Sequence, residues 1–432
     1  MKSVWNEGIK YPQFKTLKGD ITADVLIIGG GIAGILCAKK LADEGIDYVL
    51  LEANRILNGN TQGTTAKITV GHGLIYSKTE KSYGTEFAKK YYQANKKAME
   101  KLFELAERYP CDFETKDLYI YSKDNPLKLK DEYKVLKEIG AEAELCQTKE
   151  LPFATASAVK HTSQGQFNPL KMLYKIAVEL NIYENSHVHK IKENTAFCAD
   201  GTVTFKKVIF AAHFPFVNRM GLYYAKLYQN RSYAAAIKNA AKYDGMYVDE
   251  NDGGFSFRNY KEYLIVAGGG AKTGKSGGGF YELERDLKKF YPDCEITHKF
   301  AAQDCMSLDG IPYIGRYSLL KDNYFVATGF NKWGMTSAMA AADLLCDMVK
   351  GKPNEFSELF NPHRSIFHKQ LLLNIGSSAV NLLTPSVPRC SHLGCALKWN
   401  KQERVWECPC HGSRFTEKGD ILDNPAVKGI NR

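Results

Sequence analysis

The fold of this chain is decided by one stretch near its start, Asp24-Val25-Leu26-Ile27-Ile28-Gly29-Gly30-Gly31-Ile32-Ala33-Gly34. An apolar run of strand character meets three consecutive glycines, and a helix-compatible segment follows over 35–44. A second strand-like run, 47–51, ends at Glu52. This order predicts a strand–turn–helix–strand unit whose helix N-terminus presents free N–H groups to a phosphate.

The residues of this turn suit a dinucleotide site. Gly29 permits the tight turn, Gly31 lets a pyrophosphate approach the backbone, and Gly34 lets the helix pack closely on the strand. Ala33 lies in the same turn and belongs to the predicted contact set. Glu52 follows the turn by roughly 20 residues, where an acid can accept hydrogen bonds from a ribose diol. The motif alone does not distinguish FAD from NAD, and the alternative is an ordinary βαβ crossover with convenient glycines.

Composition indicates a globular protein of more than one domain. The chain has 432 residues, of which 44% are hydrophobic and 12% aromatic, so it can bury a sizeable core. Its formal net charge of +10 is spread along the chain without a dominant basic block, which argues against a nucleic-acid-binding protein. The charge fits a solvated surface or, as the alternative, a docking surface for an acidic redox partner.

Neither a signal segment nor a membrane span is predicted. Residues 1–7 lack an apolar core, and the longest apolar run, 371–383, is short and contains Asn and Ser. We therefore expect a cytoplasmic protein. Eleven cysteines are too many for a disulfide scaffold in a reducing compartment, and the crowding of four of them over 390–410 needs its own explanation.

Two further segments could contact the same cofactor. The loop over 53–67 is rich in Gly, Asn and Thr, and its Thr61, Thr65 and Ala66 offer hydroxyl and backbone donors. The alternative for this loop is a plain surface position. Residues 323–336 again run from a strand through a glycine turn to a helix N-terminus. Two such turns, far apart in sequence, could bracket one extended cofactor.

Hydrophobic periodicity and turn residues give a coarse map of the other elements. The predicted helices span 79–108, 126–140, 169–180, 280–290 and 337–349. The predicted strands span 117–122, 208–212, 246–249, 255–258 and 263–267. The glycine-rich stretch 268–279 lacks the phosphate-loop pattern and is predicted to be a mobile loop.

The glycine unit and three later segments together resemble the glycine/D-amino-acid oxidase family of FAD-dependent oxidoreductases over roughly residues 20–352. The three segments are the loop 59–67, the segment 309–315 and the turn 327–336. The resemblance implies that FAD binds with its ADP half at the glycine unit and Glu52. The further contacts that it implies are Val188 and Ala211 near the adenine half, and Gly329, Trp333, Gly334, Met335 and Thr336 near the isoalloxazine.

The resemblance also implies an architecture. An α/β FAD-binding domain of Rossmann type takes about residues 20–78, 151–215 and 301–352. An α+β substrate domain is inserted mainly at 79–150 and 216–300.

The crowded cysteines form a second motif, C-S-H-L-G-C over 390–395 and C-P-C-H-G-S over 408–413. Cys-x-His followed by Cys-x-x-His matches a Rieske [2Fe–2S] centre, in which two thiolates hold one iron and two imidazoles hold the other. The predicted ligands are Cys390, His392, Cys408 and His411. A structural Cys2His2 zinc site is the alternative that spacing alone allows.

Resemblance to Rieske proteins of the cytochrome-bc type implies two more features. Cys395 and Cys410 form a disulfide between the two loops, and Ser413 donates to a bridging sulfur. One departure is visible, because the linker helix within 356–385 is followed almost directly by the first ligand loop, without base strands. We therefore predict a small, shortened all-β module over 386–432.

The whole arrangement resembles bacterial FAD-dependent oxidoreductases with a C-terminal Rieske domain. This implies hydride transfer from a small amine or amino acid to FAD, with the Rieske centre relaying electrons to an unknown acceptor. The alternatives are an electron-transfer or reductase component, and a redox sensor without turnover. Arg258 is a candidate carboxylate clamp and Lys272 a similar candidate, and a structural role is the alternative. Cys305 resembles the cysteine that bonds to flavin in sarcosine oxidases, and its alternative is a free buried thiol.

Overall fold

The computed structural model describes residues 3–217, 220–275, 277–385 and 388–430. A 3-10 turn, Val4–Asn6, precedes the first strand. The helices are α1 (Ile32–Asp43), α2 (Asn60–Gly63), α3 (Ile75–Tyr83), α4 (Thr85–Arg108), α5 (Pro126–Glu138), α6 (Pro169–Ala177), α7 (Tyr223–Lys226), α8 (Phe280–Phe290), α9 (Gly334–Val349), α10 (Ser357–Phe360) and α11 (Lys369–Leu383). The strands are β1 (Ile21–Ile28), β2 (Tyr48–Leu51), β3 (Lys67–Ile68), β4 (Glu114–Ser122), β5 (Ala143–Cys146), β6 (Ser157–Gln166), β7 (Ile182–Tyr183), β8 (Lys190–Lys192), β9 (Thr195–Phe197), β10 (Thr202–Phe210), β11 (Tyr228–Lys238), β12 (Met246–Asp249), β13 (Ser256–Tyr260), β14 (Tyr263–Lys272), β15 (Glu295–Met306), β16 (Tyr313–Ser318), β17 (Lys321–Thr328), β18 (Lys398–Asn400), β19 (Val405–Glu407), β20 (Arg414–Phe415) and β21 (Ile421–Asp423).

The first sheet places the glycine turn at its carboxyl edge. Its strands run in the order β16-β17-β10-β1-β2-β7, and β1 is parallel to both of its neighbours. The apolar run of β1 suits this position, because a parallel strand covered on both faces buries all of its side chains. The last residue of β1 pairs with the last residues of β2 and β10. Gly29, Glu52 and Ala211 therefore follow their strands at the same edge of the sheet.

Two helices begin at this edge. α1 starts directly after the glycine turn that follows β1, and α9 starts shortly after β17. Because β17 is also parallel to β10, both helices start at the carboxyl side and pack against each other. The two glycine turns that the sequence places far apart thus come together, as a doubly wound fold requires.

The second sheet has nine strands, in the order β15-β11-β14-β13-β12-β4-β6-β3, with β5 beside β6. It includes three strands from segments that the sequence analysis gave to the FAD-binding domain: β3 from 20–78, β6 from 151–215 and the second half of β15 from 301–352. Each of these three segments therefore contributes strands to both sheets. The physical reason is antiparallel pairing along nearly whole strands, β6 with β4 and β15 with β11, which local sequence does not display.

Most predicted elements are confirmed with small shifts at their ends. Helix α8 and strand β12 have the predicted bounds. The single helix predicted over 79–108 is two helices, because the chain turns at Gly84 with a φ of 88°. The loop predicted over 268–279 is wrong in its first half, since β14 continues to Lys272 and pairs there with β11.

The C-terminal module is a four-stranded sheet, β18-β19-β20-β21, around its own small core. In the part of the module that the structure describes, no strand precedes the first ligand loop, and only an isolated bridge joins Arg389 to Ala396. The module is therefore short, as predicted. Among the described helices, none combines the length and the apolar character that crossing a membrane requires.

Candidate functional site

The first glycine turn is a backbone cradle without room for side chains. Gly29 has a φ of 110°, and a Cβ there would lie 2.6 Å from the Ala211 carbonyl oxygen. A Cβ on Gly34 would overlap the Gly29 carbonyl oxygen, so α1 lies this close to β1 only because the residue is glycine. Gly31 is the N-cap of α1 and lines a cavity at this edge. A helix N-terminus reached through bare backbone is the arrangement that binds phosphate.

Two side chains hold the cradle in place. The Glu52 carboxylate accepts hydrogen bonds from the backbone N–H groups of Gly30, at 2.7 Å, and Asn54, at 2.9 Å. Burial raises the pKa of Glu52. The Thr61 hydroxyl accepts a hydrogen bond from the Ile32 N–H at 3.1 Å, which ties the loop to the first residue of α1. Glu52 and Thr61 therefore fix the turn as well as lining the space beside it.

A cavity of about 950 Å³ lies along the carboxyl edge of the first sheet. This volume is at the upper end of the range of roughly 300–1,000 Å³ that is usual for ligand pockets. The predicted contact residues on its wall are Gly29, Gly31, Ala33, Glu52, Thr61, Val188, Ala211, Gly329, Gly334 and Met335. Those elsewhere are Thr65 and Trp333, which line a second cavity, and Gly34, Ala66 and Thr336, which line neither.

The second cavity, of about 560 Å³, adjoins the first, and Asp304 and Lys332 line both. Lys67 is a buried lysine in its wall. Its Nζ donates to the Thr65 hydroxyl at 3.0 Å and to the Ser256 hydroxyl at 2.6 Å. Burial lowers the pKa of Lys67 well below its ordinary value, and no carboxylate in the described part of the chain forms an ion pair with it. An anionic ligand bound in this cavity would favour the protonated, charged form of Lys67.

His72 adds a neutral face to the second cavity. Its Nδ1 lies 2.8 Å from the Tyr91 hydroxyl and its ring stacks on Trp333, with centroids 4.9 Å apart. Burial lowers the pKa of His72 to about 3, so the imidazole is uncharged at neutral pH. No sequence pattern marks either His72 or Lys67 as a site residue. Lys67 is the last residue of the Gly- and Thr-rich segment over 53–67, but only the folded chain buries its amine.

The two predicted catalytic candidates line neither cavity. Arg258 is fully buried, and its Nη1 donates to the carbonyl oxygens of Thr65, at 3.0 Å, and Ala66, at 2.7 Å. It supports the loop from behind. Lys272 ends β14 beside the C-terminal ligand loops, where burial lowers its pKa. Cys305, in contrast, lines the larger cavity, and burial raises its pKa to about 12, so it is a protonated thiol.

The C-terminal loops bring the four predicted iron ligands together. The thiols of Cys390 and Cys408 hydrogen-bond to each other, and this bond lowers the pKa of the Cys390 thiol below its ordinary value. The rings of His392 and His411 lie with their centroids 4.9 Å apart. Burial lowers the pKa of His392 to about 4 and that of His411 to about 3, so both imidazoles are neutral. Two sulfurs and two neutral imidazoles are the donor set of a Rieske cluster.

Burial around these loops fits a bound cluster. His411 is 3% exposed, and its Nδ1 has no hydrogen-bond partner among the residues that the structure describes. A buried polar nitrogen of this kind is costly unless something binds it. Cys395 and Cys410 form a disulfide that joins the two loops. The Ser413 hydroxyl accepts the Ala426 N–H at 3.0 Å and hydrogen-bonds to the Cys390 thiol.

Comparison with known protein families agrees with both sites. Residues 24–348 match the family model described as FAD dependent oxidoreductase, and residues 382–432 match the Rieske [2Fe-2S] domain. The chain belongs to the FAD-dependent oxidoreductase family. The cofactors of this oxidoreductase are FAD and a [2Fe–2S] cluster, and the match to the Rieske domain model favours the cluster over a Cys2His2 zinc site.

Two related sequences and one solved structure resemble this oxidoreductase over most of its length. YhfW of Bacillus subtilis (strain 168), whose name describes it as a Rieske 2Fe-2S iron-sulfur protein, is 31% identical over 100% of this chain and 97% of its own length. Gamma-glutamylputrescine oxidoreductase of Escherichia coli (strain K12) is 26% identical over 82% of this chain and 90% of its own. Glycine oxidase from Geobacillus kaustophilus is 19% identical, with a TM-score of 0.66 over 80% of this chain and 99% of its own. The last likeness shows the fold alone.

In this oxidoreductase the Rieske module forms part of the wall of the larger cavity. The Glu403 carboxylate accepts hydrogen bonds from Arg231 Nε at 2.8 Å, Arg414 Nη2 at 2.7 Å and the Tyr233 hydroxyl at 3.0 Å. Arg231, Glu403 and Arg414 all line the cavity. Arg231 belongs to the second sheet and Arg414 to the module, so one buried carboxylate joins the two parts.

Two glutamines of the second sheet hold the second ligand loop. Gln229 Nε2 donates to the His411 carbonyl oxygen at 2.8 Å. Gln303 Nε2 donates to the Gly412 carbonyl oxygen at 2.8 Å, and its backbone N–H donates to Asn60 Oδ1 at 2.9 Å. Asn60 lies in the loop that lines the larger cavity. Gln303 thus contacts both the second ligand loop, at Gly412, and the segment over 53–67, at Asn60. No local sequence signal marks it.

Proposed function

We propose that this oxidoreductase oxidises a small amine or amino acid at its C–N bond and passes the electrons to its own Rieske module. One observation carries the proposal: Arg414 and Asn424 of the module line the same cavity as the glycine turn, and the second cavity adjoins that cavity. When bound, FAD supplies a two-electron acceptor and the [2Fe–2S] cluster a one-electron acceptor. The residues around them supply binding, orientation and exclusion of water.

The charges of the second cavity support an amino acid as the substrate. Lys67 is buried without a carboxylate partner, so a substrate carboxylate bound beside it would stabilise the protonated form of its amine and pair with it. Asp304 lines both cavities, accepts a hydrogen bond from the Ser232 hydroxyl at 3.0 Å, and has a pKa that burial raises. A carboxylate oxygen of Asp304 would accept the proton of the substrate ammonium and leave the amine neutral. The name of one relative, a gamma-glutamylputrescine oxidoreductase, supports a nitrogen-bearing substrate.

The aromatic part of the wall would orient this substrate. His72 is neutral, and its stacking on Trp333 fixes both rings. These groups add shape without charge, which leaves Lys67 and Asp304 to recognise the two ends of an amino acid. The direction of binding then follows from the separate positions of the cation and the carboxylate.

Anaerobic mixing tests the proposal. The purified holoenzyme is mixed with a panel of amino acids and simple amines, flavin absorbance is followed, and the frozen product is examined by EPR for a Rieske signal. We expect at least one amino acid to bleach the flavin and then to produce the signal. Failure of all amines and amino acids, with reduction by a reduced electron carrier, would overturn the proposal in favour of a reductase component. Absence of any reduction would leave the redox sensor.

Two variants separate the roles. Cys408→Ser removes a cluster ligand, so the flavin should still bleach while the Rieske signal disappears. Lys67→Met should raise KM for the amino acid by roughly tenfold or more, because a hydrogen bond to a charged group is lost. Lys128→Met is the matched control, since Lys128 lines the same cavity but pairs with Glu250 at 3.0 Å. An equal effect of the two lysine variants would exclude Lys67 as the carboxylate site.

A further inference from the structure

The linker helix α11 packs its polar face against the protein and exposes its apolar face. Its polar residues Gln370, Asn374, Ser377, Ser378 and Asn381 recur along one face, and that face lies against the protein. Asn374 is the buried residue of the helix, and its Nδ2 donates to the Ala225 carbonyl oxygen at 3.1 Å. The backbone carbonyl oxygen of Asn381 accepts a hydrogen bond from the Ala396 N–H at 3.0 Å. A surface helix normally buries its apolar stripe instead.

The outward face of α11 is apolar. Leu372 is 72% exposed and Leu383 is 82% exposed, and Phe367 just before the helix is 90% exposed. The other exposed apolar residues of this face are Leu373, Ile375, Val380 and Leu382. Single exposed apolar residues are ordinary, but a continuous apolar face of this kind marks an interaction surface.

The charge around this face favours one occupant. Residues 359–402 contain no Asp or Glu, and the exposed basic residues Lys369 and Arg389 flank the two ends of α11. Neither residue forms an ion pair within the described residues. A second copy of this chain, docked on the same face, would bring the same basic groups together. An anionic lipid surface would instead accept the apolar side chains and neutralise the flanking cations.

We propose that α11, with Phe367 ahead of it, is a docking surface for an anionic phospholipid bilayer, on which the helix lies in the plane of the interface. The surface continues to the first cluster loop. Arg389 Nη1 donates to the carbonyl oxygens of Leu382 and Gly394, at 3.2 and 2.7 Å, and Leu393 between the ligand and this glycine is exposed. Docking of α11 therefore brings the first ligand loop of the cluster close to the lipid.

Vesicle flotation of the holoenzyme tests this proposal. The probes are vesicles of phosphatidylglycerol mixed with phosphatidylcholine, and vesicles of phosphatidylcholine alone. We expect the wild type to bind the anionic vesicles and to be released by high salt. The variant Leu372→Gln/Leu373→Gln/Leu383→Gln should bind at least about tenfold less, because three apolar side chains no longer enter the interface. FAD and iron contents of each variant report that it has folded.

The matched control is Leu127→Gln, which changes a leucine that is 66% exposed on α5, in the other part of the molecule. It should bind vesicles like the wild type. Absence of wild-type binding, or equal binding by the triple variant, would overturn the proposal. Analytical ultracentrifugation without lipid is a second test. If the wild type is a dimer and the triple variant is a monomer, the proposal is overturned and this face binds a second copy of the chain.

Discussion

Two walls of the larger cavity, which we propose holds FAD, are built in opposite ways. The wall over 29–61 consists of backbone turns, and the hydrogen bonds by which Glu52 and Thr61 hold its glycine turn link segments that are near in sequence. The facing wall consists of buried charges, in which Arg231 meets Glu403 across 172 residues of sequence and Arg414 completes the cluster. Glycine sterics set the first wall, and charge pairing sets the second. Substitutions should therefore fail for different reasons in the two places.

The largest effect is expected on the backbone wall. Gly34→Ala places a methyl group on the Gly29 carbonyl oxygen, where neither backbone segment has room to move. We expect a loss on the order of 5 kcal/mol or more in the free energy of unfolding, with FAD lost from the purified protein. Thermal unfolding and flavin content measure the two outcomes.

The control for this substitution is Gly59→Ala in the neighbouring loop. A Cβ at Gly59 meets no atom within 4 Å, and the residue has a negative φ of −91°. It should retain FAD and nearly the full stability. Retention of FAD by Gly34→Ala would show that the backbone around Gly29 and Gly34 can shift to accept a methyl group. Glycine sterics would then not set the first wall.

The charged wall should give the next largest effect. Glu403→Gln leaves the buried guanidinium group of Arg231 without its carboxylate, while Arg414 keeps its ion pairs with Glu407 and Asp423. Breaking one side of a buried ion pair typically costs about 3–5 kcal/mol, because the remaining charge stays buried. We expect the Rieske module to unfold or detach at lower denaturant while FAD stays bound. Visible circular dichroism of the cluster and flavin fluorescence distinguish the two events.

Glu417→Gln is the matched control for this charge. Glu417 pairs with Arg404 at 2.9 Å in the same module, but the two side chains are 52% and 75% exposed. Exposed pairs contribute about 0–1 kcal/mol, so this variant should behave like the wild type. Simultaneous loss of FAD and cluster in Glu403→Gln would mean that the two walls fold as one unit.

The contrast also explains what the sequence reveals. The apolar run before Gly29 and the Cys-x-His and Cys-x-x-His pairs are local patterns, and they predict the cofactors because local geometry fixes those sites. Gln229, Gln303 and Glu403 are common polar residues in ordinary surroundings, so nothing local marks them. Their role appears only when β11 pairs with β15 and the module docks on both. Pairing between distant strands likewise decides which sheet β3, β6 and β15 join.

Lys272 gives the smallest and most specific prediction. It was first a candidate for substrate binding, but it lies against the ligand loops, where its charge acts on Cys408 and His411. Removal of a nearby positive charge favours the oxidised cluster. Lys272→Gln should therefore lower the cluster reduction potential by on the order of tens of millivolts, and it should leave flavin reduction by substrate unchanged. Lys275→Gln removes the same charge from an exposed position, where solvent screens it, and should shift the potential less. If the cluster potential is unchanged and flavin reduction is slower, Lys272 acts in substrate binding and not on the cluster. The end of β14 would then take part in substrate binding.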